Sequence, residues 1–248
     1  DNTARTDTDT DYVPVNSTVT FLAGTTTSQT VPVTINNDFK VETDEIFDIT
    51  LSSLMASGRN VALGAATGSG TIANDDSATL TLSGGGSANE LNSSTSGKTF
   101  TATLSAAVQG GFSVAYTTGG GTATAGSEYV DNDGTLTFTG TASEMKTWTV
   151  DVNGDVTVEL NETFEAALGA ISGTTPEQAA DIGVSGSPQT WQITNDDAAT
   201  VTISNVTQNE GNAGTSNFTF VITLNGSVDA PVSFNAGTVD GSATVGNN

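Results

Sequence analysis

The chain has 248 residues with no Cys and no His, which excludes disulfides, thiolate and imidazole metal sites and the usual catalytic triads. Its 28 Asp and Glu against 5 Lys and Arg give a net charge of −23, which repels phosphate backbones and anionic lipid, so no nucleic-acid partner is expected. No apolar run approaches the roughly 20 residues of a membrane-spanning helix, so no direct membrane insertion is expected of this segment.

Period-two alternation runs along the chain. It begins with Val19 and Phe21, then Val31, Val33 and Ile35, then Phe47, Ile49 and Leu51. Further on, Phe112, Val114 and Tyr116 alternate with Ser113 and Ala115, Leu136 and Phe138 with threonines, and Trp148, Val150 and Val152 with Thr149 and Asp151. Val201 and Ile203, then Phe218, Phe220 and Ile222, continue the pattern. Such runs, punctuated by Gly, Asn and Asp, predict half-buried antiparallel strands, and several per unit predict a two-sheet sandwich. A turn near Pro176 to Ala180 is the one helical signal. The expected class is all-β. Threonine on the polar face is ordinary strand chemistry and does not by itself point to ice binding.

The chain repeats itself. TDYVPVNSTVTF around Tyr12 returns as SEYVDNDGTLTF around Tyr129, and Asp44-Glu45-Ile46-Phe47 returns as Asn161-Glu162-Thr163-Phe164. IANDDSATLTL from Ile72 returns as ITNDDAATVTI from Ile193, and Asn89-Glu90 as Asn209-Glu210. The period is about 120 residues, the signature of a tandem array. Residues 1–76 read as the C-terminal part of one unit, 77–197 as a complete unit and 198–248 as the N-terminal part of the next. The segment is expected to be an interior piece of a longer protein, because a half sandwich leaves an open edge.

The run GGGTATAGSEYVDNDGTLTF, followed by WTVDVNGDVTVELNETFEAAL and closed by ITNDD, resembles a Calx-beta domain. The first unit resembles the second half of that family through TDYVPVNSTVTFLAG, VPVTINNDFKVETDEIFDITLS and ALGAATGSGTIANDD; ATVTISNVTQNEGNAGTSNFTFVITL resembles its opening. The resemblance implies tandem immunoglobulin-like antiparallel β-sandwiches that bind calcium (Ca2+) through loops at one end. Carried onto the complete unit, the implied ligands are Glu90, Glu128, Asp155, Glu159, Glu162, Asp196 and Asp197. In the first unit they are Asp11, Asp38, Glu42, Glu45, Asp75 and Asp76, and in the third Glu210. The acidic loop departs from the family's three-Asp form, reading Asn37-Asp38-Phe39 and Gly154-Asp155-Val156, and the terminal triplet reads Asn-Asp-Asp. Fewer charges weaken binding, although an Asn can still offer a carbonyl oxygen.

Beside the resemblance stands a physical argument. Carboxylates brought together from distant segments repel one another unless a hard cation neutralises them, and calcium tolerates flexible loop geometry better than magnesium does. Each Asp-Asp pair leads straight into the next unit with no Gly/Ser linker, so an ion there would clamp the hinge. Glu159 and Glu162 could in principle be a glycosidase pair, but they lie in the repeated acidic loop, and no enzyme is expected. The expected function is a structural segment of a very large secreted cell-surface adhesin, extending a binding tip and stiffened by calcium; its composition is similar to adhesins of gliding bacteria. Its partners would be neighbouring repeats, with an extracellular surface or polysaccharide bound through other regions. The alternatives are a calcium-sensing regulatory pair, as in sodium–calcium exchangers, and a carbohydrate- or surface-binding module.

Overall fold

The computed structural model describes residues 4, 10–24, 27–243 and 245. In the leading piece, β1 (Tyr12–Val13) pairs antiparallel with β2 (Thr34–Ile35). After β3 (Lys40–Val41), β4 (Glu45–Thr50) and β5 (Thr67–Ile72) form an antiparallel pair.

The middle unit carries β6 (Ala78–Ser83), β7 (Gly86–Asn89), β8 (Thr95–Leu104), β9 (Ala107–Val108), β10 (Phe112–Gly119) and β11 (Gly134–Phe138). Next come β12 (Met145–Asn153), β13 (Thr157–Val158), β14 (Glu162–Ser172), the short helix α1 (Pro176–Ala180), β15 (Ile182–Ser185) and β16 (Gln189–Thr194). The trailing piece adds β17 (Thr200–Ile203), paired antiparallel with β18 (Ile222–Asn225), and β19 (Ser227–Val228). Among the described residues no helix is long and apolar enough to cross a membrane.

Two sheets face each other in the middle unit, a five-stranded sheet in the order β11-β10-β14-β16-β7 and a four-stranded sheet in the order β12-β8-β6-β15. This is the expected immunoglobulin-like sandwich, and alternation explains it: Leu80 and Leu82, Phe100, Ala102 and Leu104, and Trp148, Val150 and Val152 all point inward and are buried. Aromatic rings tie the sheets together. Trp148 stacks on Phe100 at 5.5 Å and on Tyr116 at 4.6 Å, and Tyr129 stacks on Phe164 at 4.8 Å.

Antiparallel pairing is not universal. β6 pairs parallel with β15, and β7 pairs parallel with β16. β6 and β7 are one run of chain that leaves the four-stranded sheet and joins the five-stranded one at Gly84 and Gly85. Gly84 has φ +126°, and a Cβ there would lie 2.6 Å from the Thr99 carbonyl oxygen, so only glycine permits the crossing.

Alternation over-predicts strands in the two partial units. Thr18–Phe21 and Phe218–Phe220 form no ladder, and Phe21, Phe218 and Phe220 are exposed. Alternation supplies a face, but a strand also needs a hydrogen-bonded neighbour. In the middle unit β11 pairs with β10 and β12 with β8; among the described residues the leading piece holds no counterpart of β8 or β10.

Consecutive units meet at a built contact. β3 of the leading piece pairs parallel with β9 of the middle unit, Lys40 opposite Ala107 and Val41 opposite Val108. Val41 is fully buried and belongs to the middle unit's core. Its carbonyl oxygen accepts the Gln109 N–H at 2.8 Å and the Gln178 Nε2–H at 3.5 Å, and Gln178 Nε2 also donates to the Gln109 carbonyl at 3.0 Å. The capping box of α1 holds Gln178 in place, with Thr175 as N-cap. A matching contact follows the middle unit: β13 pairs parallel with β19, and the Asp229 N–H donates to the Val158 carbonyl at 3.2 Å.

Candidate metal centres

In the leading piece and in the middle unit, acidic residues converge on the pole beside the contact to the next unit. At the leading pole, Asp11 precedes Tyr12, whose ring stacks on Phe47 at 4.9 Å; Glu42 follows β3 and Glu45 opens β4. The carboxylates of these three can place one oxygen each within 4.8 Å of one another. Glu45 is 6% exposed, and its Oε2 has no hydrogen-bond partner among the described residues. Burial, reinforced by a hydrogen bond and charge from Asp11, pushes Glu45 up to about 7.

At the middle pole, Glu128 precedes Tyr129, which the Phe164 ring holds as Phe47 holds Tyr12. Glu90, Glu128 and Glu159 form one group with oxygens within 4.8 Å, and Glu90, Asp196 and Asp197 form another. Glu90 belongs to both. It is 1% exposed, and Glu90 Oε1 and Asp197 Oδ2 are buried without partners among the described residues. Burial and the charges of Asp155, Asp197, Glu128 and Asp196 push Glu90 up to about 7. Burial with Glu128, Asp155, Glu90 and Glu162 does the same to Glu159.

Other residues expected at the poles lie outside these groups. Asp38 and Asp155 are exposed and accept nearby backbone N–H groups, from Lys40 at 2.9 Å and Thr157 at 2.6 Å. Each thereby shapes the turn leading to the inter-unit strand, while the charge of Asp155 still reaches Glu90. Asp75 is exposed; Asp76 is half-buried, and burial with Asp75 and Asp38 raises its carboxyl. Glu162 is half-buried beside Glu128, and Glu210 is exposed in the trailing piece.

The Asn of each Asn-Asp-Asp triplet does something sequence reasoning did not anticipate. Asn74 Oδ1 accepts the Glu42 N–H at 3.1 Å, and its Nδ2 donates to the Asp76 carbonyl at 3.1 Å and to Asp181 Oδ2 at 3.0 Å. Asn195 Oδ1 likewise accepts the Glu159 N–H at 3.1 Å, with its Nδ2 donating to the Asp197 carbonyl at 3.2 Å. The two asparagines clasp the acidic loop to the terminal aspartates. Asp44 and Asn161 complete the clasp by accepting the Asn74 and Asn195 N–H groups, at 3.0 and 3.1 Å. The recurrence of Asp44/Asn161 and Asn74/Asn195 at the same repeat positions was the available signal.

Gly154 is equally local. A Cβ there would run into the Leu91 carbonyl oxygen, so what reads in sequence as an acid-poor loop is a packing requirement. Leu91 itself sits at φ +73°, with its N–H on Asp196 Oδ1 at 3.2 Å. Chemically, both poles offer oxygen donors alone, drawn from several loops, with buried carboxylate oxygens left unsatisfied. That donor set fits a hard divalent cation.

The Calx-beta domain profile matches residues 1–77, 92–203 and 194–248. No curated protein matches the chain. Among solved structures, the apo-form Calx CBD1 domain is 21% identical, over 49% of this chain and 100% of its own, with a TM-score of 0.39. The calcium binding domain CBD12 of CALX1.1 is 22% identical, over 48% of this chain and 44% of its own, with a TM-score of 0.37. CBD12 from CALX1.2 is 21% identical, over 48% and 46%, with a TM-score of 0.40. The chain thus spans less than half of each of these last two. Matched by the profile over nearly its whole length, the chain belongs to the Calx-beta domain family.

Proposed function

We propose that the chain is a run of structural repeats, divided at residues 76 and 197, in a very large secreted cell-surface adhesin. Calcium held at each pole stiffens the contact to the next unit, so that the array carries a binding tip away from the cell. One observation carries this reading: the same inter-unit strand pair occurs twice, each time running directly into a candidate ligand, Glu42 after Val41 and Glu159 after Val158. Asp11, Glu42 and Glu45 at one pole, and Glu90, Glu128, Glu159, Asp196 and Asp197 at the other, would hold the ion. The role is spacing and ion binding rather than catalysis. Other regions of the protein would meet the extracellular surface or polysaccharide.

Calcium is favoured over magnesium because the donors come from flexible loops and include no fixed octahedral set. A calcium-sensing pair is the second reading, favoured by one contact: Gln109 of the following unit reaches Glu42 Oε1 at 3.4 Å, so the neighbour touches the pole. Thermal unfolding of the whole chain in calcium, magnesium and chelator tests the shared premise. Binding to the folded state alone at one hundred times the dissociation constant stabilises by about 2.7 kcal/mol, which reads as a raised melting temperature. Identical curves in calcium and chelator would remove calcium from the account.

A further inference from the structure

The two inter-unit contacts share their backbone and differ in one side chain. In both, a residue of the following unit donates its N–H to the carbonyl of the valine that precedes a candidate ligand. That residue is Gln109 on Val41 at 2.8 Å, and Asp229 on Val158 at 3.2 Å. Lys40 and Val41 pair with Ala107 and Val108 as Thr157 and Val158 pair with Ser227 and Val228, so Gln109 and Asp229 occupy the same place in the repeat. The side chain at this place belongs to the following unit and lies beside the preceding unit's acids. Gln109 donates to Glu42 Oε1 at 3.4 Å, while the charge of Asp229 raises the carboxyl of Glu162, at the edge of the middle pole.

We infer that each acidic pole is completed by the unit that follows it, and that the residue at the position of Gln109 and Asp229 sets how tightly the pole holds calcium. This rests on the reading that the poles bind calcium. The two residues act with opposite sign. An amide N–H on Glu42 occupies a lone pair that a cation needs, and adds no charge to the pole. A carboxylate in the same place adds negative charge, and charge count is what tunes the affinity of such sites. The buried, unpartnered oxygens of Glu45 and Glu90 mark both poles as short of a ligand rather than as solvated acids. An array built in this way sets each unit's affinity through the sequence of its neighbour, and a terminal unit with no follower binds differently from an internal one.

A reciprocal exchange tests it in the full chain by calorimetric calcium titration. Gln109→Asp, measured with the middle pole silenced by Glu90→Gln, makes the first contact a copy of the second. It should tighten the leading pole about fivefold, the low end of typical coupling between sites. Asp229→Gln, measured with the leading pole silenced by Glu45→Gln, should loosen the middle pole by a similar factor. The near-isosteric Asp229→Asn should do the same, which guards against a packing artefact at one variant. Matching melting temperatures in chelator would show that the exchange leaves the fold alone. Calcium binding by the parent chain with unchanged affinity in all three variants overturns the inference and leaves calcium binding standing. No calcium heat in the parent chain overturns both.

Discussion

At the leading pole the third carboxylate beside Asp11 and Glu42 is Glu45, whereas beside Glu128 and Glu159 that seat belongs to Glu90, from the opening of the unit. Glu162, the repeat counterpart of Glu45, lies half-buried outside the group. Glu90 also reaches the terminal aspartates, so among the described residues the middle pole has five carboxylates in two overlapping groups and the leading pole three in one. A full pole therefore draws on both ends of a unit: Glu90 comes from the middle unit's opening, and residues 1–76, the C-terminal part of a repeat, carry no counterpart of that opening. Gly154 packs against that opening at the Leu91 carbonyl, whereas the matching position in the leading piece is Asn37.

Glu90→Gln should separate the two poles most strongly. It removes the acid common to both middle groups and should abolish calcium binding at that pole while leaving the leading pole's binding heat intact. A calorimetric stoichiometry unchanged from the parent chain would show that Glu90 is not the shared ligand.

Gly154→Ala should lower the middle unit's stability by about 2 kcal/mol, in the range of steric mutations with a named clash, because the new Cβ meets the Leu91 carbonyl. Asn37→Ala, at the same repeat position, should leave the melting temperature nearly unchanged. Equal effects of the two in thermal unfolding would erase the proposed difference between the loops. Val41→Ala removes two buried methyl groups from the middle unit's core and should also cost about 2 kcal/mol, read as the same unfolding transition shifted down.

Proton linkage distinguishes the empty pole from the filled one. Glu90 and Glu159 sit at about 7 against an ordinary 4.5, so between those values the folded chain holds protons that the unfolded chain has released. In chelator, stability should therefore rise as pH falls through this window, and the gain should be lost as pH climbs past about 7. In calcium the trend should reverse, since protons then compete with the ion. Melting curves at several pH values with and without chelator check both signs. The smallest effect is expected from Leu91→Gly. Leu91 pays for a φ of +73°, while the trailing piece has Gly211 at the matching position with φ +88°. Relief of strain, offset by a looser unfolded chain, should leave a gain of about 1 kcal/mol or less in denaturant unfolding.

Much of this was legible in the residues. Alternation around Phe112, Trp148 and Val150 located the core, because period two assigns a face directly. Tyr12 and Tyr129, like Phe47 and Phe164, marked the repeat, whereas their stacking beside Asp11 and Glu128 is visible only in the structure. The inter-unit contact was not legible, since Val41 is a single apolar residue in an acidic loop and reveals its partner only when β9 lies beside it. Nor was the parallel pairing of β6 and β7, which depends on a sheet crossing at Gly84 and Gly85. That Asp38 and Asp155 also shape turns was hidden too, since each accepts a backbone N–H two residues ahead on one carboxylate oxygen.

The central claim is that calcium at the poles stiffens the contact between units. The chain lacks cysteine, so spin labels at Thr50→Cys and Thr147→Cys, both exposed strand positions, report the distance between the leading piece and the middle unit cleanly. Pulsed dipolar spectroscopy should show a distance distribution that narrows in calcium and stays broad in magnesium or chelator, with its mean little changed. Equal widths in all three conditions would contradict the account and leave the strand pair and Val41 as the whole of the joint.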